Sequence, residues 1–109
     1  MKPTIDAERI RIYVGESDQH KGHSIYEGIV EEARRRGLAG ATVLHGIMGF
    51  GARNRTHSAK ILRLSENLPV IIEIVDTPRK IAEFLPYLDQ ILDRGSVTIE
   101  PVKLLKYSH

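Results

Sequence analysis

Three glycines and five basic side chains follow one another between Gly46 and Ser65, and no other stretch of this chain is better suited to chemistry. Glycine lets a ligand come close to the main chain, and successive exposed N–H groups bind anions. Arginine adds a planar set of donors that matches phosphate or carboxylate. The stretch therefore predicts an anion-binding site, and we assign to it Gly46, Gly49, Gly51, Arg53, Arg55 and His57.

The charge of this stretch stands out from the rest of the chain. Residues 51–66 contain four Lys or Arg and one Glu, a net charge of +3, whereas the whole chain carries only +2. The glycine spacing is neither that of a dinucleotide-binding fingerprint nor that of a P-loop. A long loop with such a charge bias is typically functional or disordered, so a solvated loop without a ligand remains the alternative.

The histidines offer a second kind of chemistry, which is metal binding. His20 and His23 lie three residues apart in a polar segment, and His45 lies in a predicted strand. No pair has the spacing of a known zinc motif. We therefore expect His20 and His23 to be exposed loop residues and His45 to be a partly buried strand residue, and we assign no metal ligand.

Glu73 is the residue to test for catalysis, because it interrupts an apolar run. Such a carboxylate can act as a general base with a raised pKa, with His45 or His57 as its partner. It more commonly pairs with an Arg or Lys across a sheet or a subunit interface, and we favour pairing. The serines lack a base and an orienting group for a hydrolase triad, so we predict no catalytic residue and no enzyme.

Composition limits the class of protein. The 109 residues fit one domain spanning 1–109, and 41% of them are hydrophobic. There is no cysteine, no apolar run that could span a bilayer and no signal sequence at the N-terminus, so we expect a cytoplasmic protein that is not embedded in a membrane. Acids and bases nearly balance, and among the aromatic residues only Tyr13 lies clearly in mid-strand, so we predict no nucleic-acid partner.

Four strands and two helices are needed to position these residues. Period-two alternation predicts a strand over Glu8–Val14, and runs of apolar residues predict strands over Gly40–Met48, Val70–Val75 and Val97–Tyr107. A capping box at Ser24 and Glu27 starts the first helix, which ends near Arg36 before Gly37. Thr77 and Pro78 start the second helix, within which Pro86 predicts a kink.

The order of elements is β-α-β-loop-β-α-β. It predicts an α+β, ferredoxin-like βαββαβ fold, with a four-stranded antiparallel sheet and two helices on one face. Residues 51–66 form a long basic loop between the second and third strands. The third strand is apolar on both sides apart from Glu73, so the sheet face without helices needs a cover, and a second subunit can provide it.

The chain resembles the PII-like signalling proteins, and more closely a family of small PII-related proteins known only as a domain of unknown function. The matching residues are 45–51 (HGIMGFG), 68–76 (LPVIIEIVD) and 95–100 (GSVTIE). The resemblance covers nearly the whole chain. It implies a PII-like fold and a homotrimer whose sheets face a central axis.

The resemblance also implies a regulatory function without catalysis. Loop 51–66 corresponds to the mobile loop with which PII proteins touch a transporter, a channel or an enzyme. Nucleotides bind near the base of that loop in the superfamily, which makes an adenine nucleotide a candidate ligand for Gly49 and Gly51. The chain departs from PII in having only Arg94-Gly95-Ser96 before the last strand and no Tyr or Gln in the loop.

The alternative is a metal-binding or metal-tolerance protein of the trimeric ferredoxin-like type, which would use His20, His23 or His45. The sequence names neither the ligand nor the partner.

Overall fold

The computed structural model describes residues 3–51 and 67–107 of the chain. These residues form six strands and two helices, in the order β1 (Ile5–Gly15), β2 (Gln19–His20), β3 (His23–Ser24), α1 (Ile25–Arg35), β4 (Thr42–His45), β5 (Pro69–Asp76), α2 (Pro78–Ile91) and β6 (Ser96–Leu104). The two-residue strands β2 and β3 form a separate hairpin. The other elements follow the predicted βαββαβ order.

The main sheet has the strand order β4-β5-β1-β6, and all neighbouring strands are antiparallel. The register places Tyr13 opposite Ile71 on one side and opposite Ser96 on the other. The two central strands, β1 and β5, are therefore not neighbours in the sequence. This arrangement confirms the predicted ferredoxin-like fold.

The core lies between the sheet and the helices. Alternate residues of the two central strands are buried there because successive side chains of a strand point to opposite faces. The buried strand residues are Ile10, Ile12, Val14, Val70, Ile72 and Ile74, and the helices cover them with Ile25, Ile29, Ala33, Ile81, Phe84 and Leu88. Burial of these side chains is the main favourable term in folding.

The helix starts agree with the prediction. The Ser24 side chain accepts a hydrogen bond from the Glu27 backbone N–H, and the Thr77 side chain accepts one from Lys80. Gly37 has a φ of +78°, the left-handed conformation expected just beyond a helix C-terminus. Helix α2 continues through Pro86 from Pro78 to Ile91, where the sequence predicted a kink.

The arginines at the end of α1 make contacts within that helix and with α2. Both Arg35 and Arg36 are paired with Glu32, and Arg36 also lies over the rings of Phe84 and Tyr87. The hydrogen bond from Arg36 lowers the pKa of Glu32 below its ordinary value, and Arg35 adds to the effect. These contacts tie the end of α1 to α2.

The largest differences from the prediction concern two strands and one loop. Strand β4 covers only Thr42–His45 instead of Gly40–Met48. It ends after His45 because Pro69, which follows in the register, has no N–H with which to continue the ladder. Strand β6 covers Ser96–Leu104 instead of Val97–Tyr107, and as an edge strand it accommodates Pro101. The segment predicted as a polar loop contains the β2–β3 hairpin, which carries no apolar alternation that could reveal it.

Candidate functional site

A cleft of about 380 Å³ opens at one end of the sheet, where β1 ends and β5 and β6 begin. We call it the loop-base cleft, because the last described residue before segment 52–66 and the first after it both line it. Its walls include apolar side chains, glycines and polar side chains, namely Tyr13, Phe50, Pro69, Gly49, Gly51, Gly95, Asp18, Asn67 and Arg94. The cleft is the candidate functional site.

The sheet register explains why residues far apart in sequence meet here. Gly15 at the end of β1 lies opposite Pro69 at the start of β5, and Tyr13 lies opposite Ser96 at the start of β6. The ends of three strands therefore share one edge of the sheet. The cleft extends across that edge from Arg94 to Gly51.

The glycines predicted from the sequence have two different structural roles. A Cβ on Gly46 would lie 2.7 Å from Cγ of Pro69, and one on Gly49 would lie 3.1 Å from the same atom. Both residues are therefore packed against Pro69, which needs their small size. A Cβ on Gly51 would meet no atom within 4 Å among the described residues. Gly49 and Gly51 line the cleft, whereas Gly46 supports it from behind through its N–H bond of 2.8 Å to the Pro69 carbonyl.

The connection between α2 and β6 contributes another wall of the cleft, although the sequence indicated only that this connection is short. Gly95 has a φ of +95°, and a Cβ there would lie 2.5 Å from the Tyr13 carbonyl oxygen. Only glycine fits this close approach. It turns the chain so that Arg94, whose guanidinium lies 3.7 Å from the Asp93 carboxylate, lines the cleft.

A hydrogen-bonded pair of side chains, Asp18 and Asn67, forms the opposite wall. The buried Asp18 carboxylate accepts bonds from the Gly15 N–H at 2.8 Å and from the Asn67 side-chain amide at 3.1 Å. The Asn67 side-chain oxygen accepts from the Ser17 N–H at 2.7 Å. These bonds join the turn after β1 to the residue that follows segment 52–66. Sequence reasoning missed both residues, since a lone Asp and a lone Asn in polar segments carry no spacing signal.

Three of the predicted site residues, Arg53, Arg55 and His57, lie outside the described residues. The cation that lines the described part of the cleft is Arg94, which sequence reasoning did not select. The signal for Arg94 was available in principle, because Arg-Gly at a strand start places a cation beside a flexible backbone.

Glu73 does not lie in the cleft. Its carboxylate accepts a hydrogen bond of 2.8 Å from Arg11 Nε, the residue directly opposite it in β1. The hydrogen bond with Glu73 raises the pKa of Arg11 above its ordinary value. The predicted pairing is confirmed, and Glu73 is held in an ion pair on the sheet.

The described histidines do not form a single cluster. His20 and His23 lie opposite each other in the hairpin, while His45 is exposed at the end of β4 instead of partly buried. His45 Nε2 is 3.5 Å from the Glu16 carboxylate, and its ring meets the Tyr26 ring edge-on at 5.6 Å. In residues 3–51 and 67–107, no three His, Cys, Asp or Glu side chains form a group that could hold a metal ion. Within the same ranges, no helix is long and apolar enough to cross a membrane.

Sequence comparison relates the chain to uncharacterised proteins. The profile of the family DUF190, described as "Uncharacterized ACR", matches residues 7–104. A UPF0166 protein of Methanocaldococcus jannaschii is 40% identical over 95 residues, which are 87% of each chain. A UPF0166 protein of Aquifex aeolicus is 34% identical over 96 residues, which are 88% of this chain and 90% of that protein. The resemblance to a family without known function is confirmed.

Structure comparison identifies the fold. CPII of Thiomonas intermedia K12 bound to ADP and bicarbonate has a TM-score of 0.60 at 14% identity, covering 95% of this chain and 93% of that one. CPII described as a nitrogen regulatory PII-like protein, bound to ADP, AMP and bicarbonate, has a TM-score of 0.62 at 13% identity, covering 97% and 100%. The predicted PII-like form of the ferredoxin fold is confirmed.

Proposed function

The chain belongs to the DUF190 family, and from this we propose that it is a PII-like regulatory protein without catalytic activity. The ligand that it senses would be an adenine nucleotide or another small anion. The PII-like fold and the family membership support the regulatory class. The observation that carries the ligand proposal is the loop-base cleft, where glycine backbone and the side chain of Arg94 lie together at the base of loop 51–66.

The chemistry of the cleft walls fits a ligand with one anionic and one flat apolar part. Arg94 and the backbone around Gly49, Gly51 and Gly95 offer donors to a phosphate or a carboxylate. Tyr13 and Phe50 offer aromatic surface, and Phe50 is 77% exposed in the single chain. An adenine base can stack on such a surface while its phosphates meet Arg94. Arg53, Arg55 and His57 follow Gly51 in the sequence and would add charge for the same ligand.

Structural neighbours are consistent with this ligand class. The CPII structures of Thiomonas intermedia contain ADP, AMP and bicarbonate. We therefore place ADP, AMP and ATP first among the ligands to test for this chain, with bicarbonate and phosphate as smaller anions.

We further propose that the protein is a homotrimer. The sheet face without helices, which we call the open face, carries Leu44, Ile71 and Val75 next to the ion pairs of Arg9 and Arg11. Leu44 is 48% exposed in the single chain. A second and a third copy facing the same axis would bury this surface, which is mixed apolar and paired polar as subunit interfaces are.

The regulated partner would be a transporter, a channel or an enzyme, contacted through loop 51–66. Ile47, Met48 and Phe50 precede that loop and are 81%, 62% and 77% exposed, so apolar contact surface lies at its start. A ligand that binds one arrangement of the loop more tightly than another would shift the population between them and so control the partner.

The proposal is tested by the melting temperature of purified protein with ATP, ADP, AMP, cyclic AMP, bicarbonate or phosphate. A ligand at about one hundred times its dissociation constant adds roughly 2.7 kcal/mol to the free energy of unfolding, which the melting curve resolves. Calorimetry on the ligand that stabilises the protein then measures its affinity. If none of them stabilises it, the ligand proposal fails and regulation rests on protein contacts alone.

The site assignment is tested with Arg94→Ala. Loss of a charge-assisted hydrogen bond to the ligand should weaken affinity roughly tenfold to a hundredfold. Arg79→Ala is the matched control, because Arg79 is exposed on α2 and pairs only locally with Glu83 in the described structure. Equal affinity of Arg94→Ala and the unchanged protein would move the ligand out of the loop-base cleft.

A further inference from the structure

The β2–β3 hairpin brings two histidines face to face. His20 and His23 are direct partners in the antiparallel register of this hairpin. The two residues between them, Lys21 and Gly22, have φ values of +52° and +82°. Positive φ at both central positions is the signature of a type I′ turn, whose twist matches that of the strands and fixes the register.

This register sets the distance between the Cβ atoms of the two histidines. Directly opposed residues of an antiparallel pair project to the same face with Cβ atoms about 4.5–5.5 Å apart. From such positions two imidazole rings can converge on one ion at the roughly 2.0–2.1 Å that zinc–nitrogen bonds require. The neighbouring pair Gln19 and Ser24 projects to the opposite face and does not compete.

The two imidazoles are available for a ligand and their backbone is held in place. Neither ring makes a hydrogen bond or an ion pair with the residues that the structure describes. His23 is exposed, and His20, which the sequence predicted to be exposed, is half-buried. The hairpin is closed by the Ile25 N–H, which donates to the Asp18 carbonyl at 3.0 Å. Ser24 at its end caps α1, so both strands continue directly into ordered structure. A chelating pair on a fixed frame loses little entropy when it binds.

We propose that His20 and His23 form a two-imidazole binding site for a divalent first-row transition metal ion. The donor set favours Cu²⁺, Ni²⁺ or Zn²⁺ over Mg²⁺ or Ca²⁺, because imidazole suits the former and the latter require oxygen ligands. Two protein ligands leave the other coordination positions to water or to a small anion. This site is separate from the loop-base cleft and does not depend on the regulatory function proposed above.

The test is calorimetric titration of the full chain with Cu²⁺ and with Ni²⁺ in a non-coordinating buffer. We expect one strongly bound ion per chain. A protein that carries both His57→Ala and His109→Ala should still bind that ion. This result would exclude the two histidines outside the described residues as its ligands. In that background, His20→Ala and His23→Ala should each weaken affinity about tenfold or more, because the second ligand of a chelate binds intramolecularly.

Two further variants separate the paired geometry from histidine content. His45→Ala removes an exposed histidine outside the hairpin and should leave the affinity unchanged. Gly22→Val keeps both imidazoles but places a β-branched residue at φ +82°, so it should disturb the turn. Its affinity for the metal ion should therefore fall as it does in the histidine variants. Circular dichroism of each variant without metal checks that the fold is kept.

The electron paramagnetic resonance spectrum of the Cu²⁺ complex provides an independent readout, in which nitrogen couplings from two imidazoles are expected. Equal affinity of His23→Ala and its background would overturn the proposal. Loss of binding in His45→Ala, or the absence of a stoichiometric site in the unchanged protein, would overturn it as well.

Discussion

At the scale of single residues, the hydrogen-bonded pair Asp18 and Asn67 shapes the described part of the candidate site. Asp18 is only 6% exposed, and its carboxylate bonds to a backbone N–H and to an amide 49 residues away. A buried polar group without its partner costs free energy, so the two residues depend on each other. They fix the wall of the loop-base cleft and the start of the chain after segment 52–66.

Asn67→Ala should therefore lower the free energy of unfolding by about 1–3 kcal/mol, because it removes a donor to Asp18 and the acceptor for the Ser17 N–H. Urea denaturation followed by circular dichroism measures the change. Gln19→Ala, at an exposed position of the neighbouring hairpin, serves as the control and should change stability by less than about 0.5 kcal/mol. Equal stability of the two variants would mean that water replaces the lost bonds at no cost.

At the scale of elements, the open face of the sheet combines ion pairs with apolar residues. Glu100 on β6 bonds to Arg9 on β1, and Arg11 joins the two carboxylates by contacting both Glu100 at 3.6 Å and Glu73. The Arg9–Glu100 and Arg11–Glu73 pairs are directly opposed on neighbouring strands, where side chains are closest, and Arg11 reaches Glu100 along the diagonal. The network therefore links three strands and orders the face that the homotrimer proposal uses.

Acid should weaken this network in a predictable direction. The hydrogen bond and charge of Arg9 hold the pKa of Glu100 below its ordinary value in the folded chain. The ionised carboxylate is thus favoured by folding, and its stabilising effect is present above the unfolded pKa and lost as the pH falls through the lowered folded pKa.

We expect Glu100→Gln to reduce the free energy of unfolding at neutral pH and to have no effect at strongly acid pH, where the carboxylate of the unchanged protein is protonated. Denaturation curves across this pH range measure the difference. Glu83→Gln is the control, since its partner Arg79 is 73% exposed and solvent screens the pair. A difference between Glu100→Gln and the unchanged protein that does not vary with pH would contradict the assignment.

At the scale of the whole molecule, the two faces of the sheet differ in what covers them. The helices cover the centre of one face, where Ile10, Ile12 and Ile72 are fully buried. At the β6 edge of that face, Ile99 lies opposite Ile10 and is 47% exposed. The open face has no such cover within the described chain, although Leu44 and Ile71 lie side by side on it. A small domain gains stability when association buries a second surface, which is the basis for proposing three copies.

Leu44→Asp should separate the proposed trimer into single chains, because an unpaired carboxylate would be buried at the interface. Light scattering coupled to size exclusion measures the mass, which should be three chain masses for the unchanged protein and one for the variant. Ala82→Asp, at an exposed position on α2, should leave the mass unchanged. A trimer that persists in Leu44→Asp would exclude Leu44 from the interface.

The amino-acid sequence by itself determined the fold of this chain. The alternation in β1, the apolar run of β5 and the caps at Ser24 and Thr77 each involve only a few consecutive residues, so the sequence reveals them without a structure. The glycines at 49 and 51 marked one wall of the loop-base cleft for the same reason.

Tertiary structure alone decided which distant residues complete that cleft. Asp18, Asn67 and Arg94 meet only because β1 pairs with both β5 and β6, and such register depends on the packing of the whole core. His20 and His23 lie opposite each other because Lys21 and Gly22 both have positive φ values. The polar sequence of this segment does not reveal that turn. Local sequence patterns determine where the helices and strands form. The pairing of strands that are distant in the sequence determines which side chains meet at the strand ends.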